Sequence, residues 1–120
     1  MVNQDRRISF MKEPHKKEEL DKILNPLVKK WFFSKFKDFS LPQLYGVTEI
    51  HERNNILISA QTGGSKTLTS FLSIINELVN LAMMKNLEDR VYAVYISPLK
   101  ALNNDIQKNL LEPLKEIEEI

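Results

Sequence analysis

The stretch Thr62-Gly63-Gly64-Ser65-Lys66-Thr67 places two of the chain's three glycines just ahead of an ammonium and a hydroxyl. Residues in that order suit a phosphate. Successive backbone N–H groups at a helix N-terminus make an anion-binding concavity, and glycine lets the backbone come close. The lysine would reach the terminal phosphates and the threonine hydroxyl would bind Mg²⁺. The strict pattern G-x-x-x-x-G-K-[ST] is not met, because Ala60 and Ser65 stand where its glycines belong. On these residues alone, a plain glycine-rich turn between a strand and a helix is the competing reading.

The flanking segments must position that loop. Asn54-Asn55 turns the chain into Ile56, Leu57 and Ile58, an unbroken apolar run that suits a strand buried on both faces of a parallel sheet. After the loop, Leu68, Phe71, Leu72, Ile75, Leu78, Val79 and Ala82 form a wide stripe on a helix expected from about Lys66 to Lys85. "RVYAVYIS" reads as a second strand, and "PLKALNNDIQKNLLEPL" as a helix that pauses at Pro113. Upstream, Asn25-Pro26 reads as a helix start. There Leu27, Trp31, Phe32 and Phe36 share one face, read as core rather than as a base-stacking platform. Ser40 is the expected cap of a further helix, "LPQLYGVTEIHER", with Pro42 in its first turn.

Strand, crossover helix, strand, helix is a βαβ unit, so the expected fold class is α/β with a parallel sheet and flanking helices. Two strands are too few. They leave one side of the unit uncovered and an exposed edge prone to associate.

Composition sets further bounds. The 120 residues allow one domain, and the net charge of +1 points to no particular partner. The first 38 residues carry ten Lys or Arg against six Asp or Glu, and the last nine are acidic; both read as solvated surface. The absence of cysteine excludes disulfides and thiolate metal sites. His15 and His51 read as isolated, without a metal role. Residues 1–19 are polar and read as a loose tail ahead of a domain from 20 to 120. They lack the apolar core of a signal peptide, and "FLSIINELVNLAMM" is too short and polar to span a bilayer. A soluble cytoplasmic protein with no membrane partner is expected.

Three motifs in order carry a resemblance. Gln43 follows Phe36 and Phe39, the glycine loop comes next, and "YISPLKALNNDI" follows the second strand. Together they resemble the first motor domain of DEAD/DEAH-like superfamily 2 helicases, and most nearly the large helicase-related (Lhr) family of archaea and bacteria. "WFFSKFKDFSLPQ" looks like that family's lead-in, and "SPLKALNNDIQKNLLEPL" like its segment after the second strand. The match runs from about Asn25 to Leu114.

The resemblance implies a partial RecA-like P-loop NTPase domain. Gln43 would hydrogen-bond the adenine edge of ATP. Thr62, Gly63, Gly64 and Ser65 would wrap the phosphates, Lys66 would contact the β- and γ-phosphates, and Thr67 would bind Mg²⁺. Ser97, Pro98, Leu99 and Lys100 fall on the motif that grips the backbone of a DNA or RNA single strand.

The chain also departs from that family. Gln61 replaces the usual proline, and Gly64-Ser65 reverses the expected Ser-Gly order. A strained non-glycine position costs roughly 1–3 kcal/mol, about 5- to 150-fold in affinity, so weak ATP binding is expected. No Asp-Glu pair occurs anywhere in the chain, so the magnesium and water-activating motif of the family is absent. No catalytic set is complete. The expectation is the N-terminal part of an Lhr-like helicase, inactive alone, with a separately encoded C-terminal part as a candidate partner. The alternatives are a non-catalytic nucleotide or single-strand binding module, or the remnant of a truncated helicase gene. An unrelated P-loop kinase would leave Gln43 and "SPLKAL" unexplained.

Overall fold

A computed structural model of the chain describes residues 8–59, 65–97 and 104–120. Five α-helices appear among them: α1 (Lys17–Ile23), α2 (Pro26–Lys35), α3 (Leu41–His51), α4 (Ser65–Met83) and α5 (Glu112–Glu118). Helix α4 is central, packing along α3 and touching α2 and the turn that leads into α5.

The core follows from the apolar stripes. Leu68, Phe71, Leu72, Ile75 and Val79 of α4 are buried against Val28, Trp31 and Phe32 of α2, Val47 of α3 and Ile117 of α5. Leu78 of the expected stripe is only half-buried, and Ala82 is exposed. The aromatics of α2 are core. Phe32 and Phe39 stack with ring centroids 4.9 Å apart, and Phe36 lies partly exposed at their edge. Trp31 Nε1–H donates to Glu116 Oε1 at 3.0 Å, tying α2 to α5. The Lys35 ammonium on the same carboxylate, with that indole bond, holds Glu116 below its usual carboxylate range.

Helix ends obey local chemistry. Asn25 caps α2, its Oδ1 accepting from Leu27 N–H at 2.9 Å. Its backbone N–H donates to Asn76 Oδ1 at 2.6 Å, and its side-chain amide donates to Asn80 Oδ1 at 2.8 Å. Buried Asn76 in turn donates to the Ile23 carbonyl at 3.1 Å. Two asparagines one turn apart on α4 therefore fasten the α1–α2 junction. Helices α3 and α4 both end on a left-handed residue, Arg53 (φ 66°) and Lys85 (φ 58°). In each case the following asparagine N–H reaches back five residues to a helical carbonyl.

The expected pause at Pro113 lies just before it. A π turn, Gln107–Leu111, is bridged by Glu112 N–H to the Gln107 carbonyl. Such a turn lets a helix pass a residue that has no N–H to donate.

Neither expected strand forms a ladder. Residues 55–59 and 91–96 lie in no ladder, and no strand occurs among the described residues. A strand needs a neighbour to take its backbone hydrogen bonds, and none is within the described chain. The start of the chain is also tied down earlier than expected. Helix α1 begins at Lys17, and His15 is not isolated. Its N–H donates to the Leu44 carbonyl at 3.0 Å, and its ring lies 2.7 Å from Glu19 Oε2 and 2.6 Å from Glu49 Oε2. The Glu49 bond, aided by Glu19, raises the imidazole above its ordinary 6.5 despite opposing burial. The same bond lowers the Glu49 carboxyl.

Candidate nucleotide and nucleic-acid site

The central residue is Gly46, the glycine inside α3. A Cβ there would lie 2.7 Å from Thr69 Cγ2 and 2.8 Å from Ile58 Cδ1. Ile58 precedes the glycine loop and Thr69 follows it, so both flanks of the loop press on one point of α3. A glycine in a helix interior costs about 1 kcal/mol relative to alanine, and this close approach is its physical reason. Gln43 lies three residues earlier on α3, about one turn away. The structure thus brings the expected adenine-reading residue near the flanks of the expected phosphate loop.

Gln43 is 2% exposed. Its Oε1 accepts from the Ser40 N–H at 2.8 Å, closing half of a capping box. The glutamine therefore caps α3, a role the spacing from Ser40 to Gln43 could have signalled.

Helix α4 starts at Ser65, and its first turn carries Lys66 and Thr67, both half-buried, with no acidic residue. A helix N-terminus of that composition suits an anion, because the helix dipole favours negative charge there. Ser65 is helical, and positive φ outside glycine occurs only at Arg53 and Lys85 among the described residues. Thr62, Gly63 and Gly64 lie outside the described residues, as do Pro98, Leu99 and Lys100.

Ser97 is described, half-buried at the edge of the third motif. Nearby, Tyr95 O–H donates to Asp105 Oδ2 at 2.7 Å, so the residues flanking 98–103 are tied together. The Ser97 hydrogen bond favours the phenolate, but Asp105 and burial outweigh it and raise the Tyr95 phenol. The Tyr95 ring packs 5.0 Å from Phe71 of α4. Nothing in the sequence marks this Tyr95–Asp105 tie. No group of three or more His, Cys, Asp or Glu able to hold a metal occurs among the described residues. None of the described helices is long and apolar enough to cross a membrane.

A cleft of about 750 Å³ opens beside residues 55–59, lined by Ile8, Phe10, Leu41, Tyr45 and Glu49 among others. Neither Gln43 nor Lys66 lines it.

Comparison with known proteins points to one family. The chain is 52% identical over 114 residues to the "ATP-dependent helicase Lhr-Core" of Methanocaldococcus jannaschii, covering 95% of this chain and 14% of that protein. It is 48% identical over 103 residues to the protein of the same name from Saccharolobus solfataricus, covering 86% of this chain and 12% of that one. It is 35% identical over 106 residues to the "Lhr helicase/uracil glycosylase" of Escherichia coli, covering 82% and 7%. The chain thus spans a small fraction of the length of these relatives. No solved structure matches it significantly. The profile of the DEAD/DEAH box helicase family, whose fold is RecA-like and whose members use ATP, Mg²⁺ and nucleic acid, matches residues 40–120. On the strength of that match and of the Lhr relatives, this chain belongs to the DEAD/DEAH box helicase family.

Proposed function

We propose that the chain is the N-terminal part of an ATP-dependent, Lhr-like DNA or RNA helicase. Residues 20–120 would begin the first RecA-like domain, behind a polar tail of residues 1–19. Gln43 would read adenine, Thr62 to Ser65 would wrap the phosphates, and Lys66 would meet the β- and γ-phosphates. Thr67 would hold Mg²⁺, whose other ligands would be phosphate oxygens and water. Ser97, Pro98, Leu99 and Lys100 would grip the backbone of a single strand. Bound ATP supplies the energy for movement in the family, while these residues bind and orient it. Hydrolysis needs an Asp-Glu motif, which this chain lacks.

The observation that carries the reading is the convergence at Gly46, where both loop flanks meet one turn from Gln43. Binding should be weak, because Ser65 puts a Cβ beside the phosphates and Gln43 is buried in a cap. Titration with a fluorescent ATP analogue and Mg²⁺ tests this. Saturable binding that Lys66→Ala abolishes is expected, and Gly64→Ser with Ser65→Gly should tighten it measurably. An absence of saturation at millimolar nucleotide, in the chain and in the swapped variant, would end the reading.

The missing Asp-Glu pair favours a second reading, a module that holds nucleotide or a single strand without hydrolysing ATP. Binding without turnover, persisting after the rest of the helicase is supplied, would select it.

A further inference from the structure

We propose that Tyr95 and Asp105 form a positioning pair that holds Ser97 in place for the backbone of a nucleic-acid single strand. The proposal rests on the helicase reading and deepens one site within it, since Ser97 heads the motif given the strand-gripping role. Tyr95 and Ser97 share a side of the chain. Both are half-buried, while Val94 and Ile96 beside them are 78% and 90% exposed.

Three contacts fix the phenol. Its ring packs 5.0 Å from that of Phe71 on α4, and Phe71 is itself buried, so the wall behind Tyr95 belongs to the core. Its O–H donates to Asp105 Oδ2 at 2.7 Å. With that proton committed, the phenol oxygen keeps its lone pairs for a donor. The Ser97 side chain supplies one, because its hydrogen bond favours the phenolate, as only a donated proton does. The order runs from Ser97 through Tyr95 to Asp105, and hydrogen bonds in such a row orient and strengthen one another.

The pair also gives Asp105 a use. A carboxylate so near a motif for an anionic strand is unfavourable on charge alone. Bonded to Tyr95, it sets the direction of the whole row. Tyr95 touches no strand in this role and acts through Ser97. A side chain ordered beforehand loses less freedom on binding, and a contact residue held from behind binds more tightly than a loose one.

The test titrates the chain with fluorescent single-stranded DNA and RNA oligonucleotides and follows the order parameter of the Ser97 amide by nuclear magnetic resonance without nucleic acid. Tyr95→Phe deletes only the phenol oxygen and leaves a ring on Phe71. It should weaken strand binding about tenfold and lower that order parameter from about 0.85 to about 0.6, with helical circular dichroism unchanged. Asp105→Ala should do the same. Asp105→Asn, whose side-chain carbonyl still accepts the phenol proton, should stay within about twofold of the original chain. Ser97→Ala added to Tyr95→Phe should cost nothing further, because the two act as one unit.

Unaltered binding and order in Tyr95→Phe overturn the proposal. So does a loss that adds in full to that of Ser97→Ala, which would mean that Tyr95 acts elsewhere. An Asp105→Asn as weak as Asp105→Ala overturns it too, leaving only charge at work. A chain that binds neither oligonucleotide sinks the strand reading. Ser97 order that still falls in Tyr95→Phe would then keep the positioning itself, and order that does not move would remove both.

Discussion

The helical layer and the two extended runs are built from similarly apolar residues, yet they end in opposite surroundings. Leu72 and Ile75 of α4 are fully buried, whereas Leu57 and Ile96 face solvent. The difference lies in the backbone. A helix satisfies its own N–H and C=O groups within four residues, so its apolar stripe needs only another helix to cover it. An extended run must find those partners in another strand, and must cover two faces instead of one. Helices α1 to α5 therefore pack on one another, while residues 55–59 and 91–96 stand outside any ladder among the described residues.

The sharpest way to break this contrast pairs two truncations. Phe32→Ala should lower stability by about 3–5 kcal/mol, while Leu57→Ala should change it by less than about 0.5 kcal/mol. Urea unfolding followed by circular dichroism measures both, and a costly Leu57→Ala would mean that the run is buried in solution.

The junction between the halves comes next. Gly46→Ala forces a methyl against Thr69 and Ile58 and should cost about 1–3 kcal/mol. Adding Thr69→Ser removes one of the clashing methyls and should recover part of that loss in the same assay. Within the helical layer, Asn76→Ala leaves the Asn25 N–H and the Ile23 carbonyl short of a partner. A loss of about 1–3 kcal/mol is expected, against almost none for Lys30→Ala at an exposed position of α2.

The smallest effect is electrostatic. The folded-state pKa of His15 is raised, so its contribution is fully present below the ordinary 6.5 and fades as pH rises through the folded value. Glu49, lowered by the same bond, contributes above its ordinary 4.5 and loses that contribution as pH falls through its folded value. Stability measured across this range should show a shallow maximum between the two, and His15→Gln should flatten it.

Much of the helical half was legible because its signals are local. Asn25-Pro26 marks a cap and first turn, the aromatics of α2 recur at helical spacing, and the α4 stripe is continuous. The helicase family was legible for another reason: Gln43, the glycine loop and "SPLKAL" occur in a fixed order that chance composition rarely produces. Less was legible of the site itself. The pairing of Asn76 and Asn80 with Asn25, the His15–Glu49 contact and the Tyr95–Asp105 tie join residues far apart or across a loop. No periodicity announces such pairs. Gly46 gave a partial warning, since a helix-interior glycine usually has a packing reason, but its partners Ile58 and Thr69 could not be named beforehand.

From sequence came the helices after α1, the caps at Asn25 and Ser40, the apolar character of both runs and the family, because short-range patterning and motif order encode these. Only tertiary structure decided that Gln43 sits one turn from where the loop's flanks meet, and that those runs stand unpaired. Close approach between segments distant in sequence depends on which surfaces find partners, and strand pairing depends on a neighbouring backbone that local patterning cannot name.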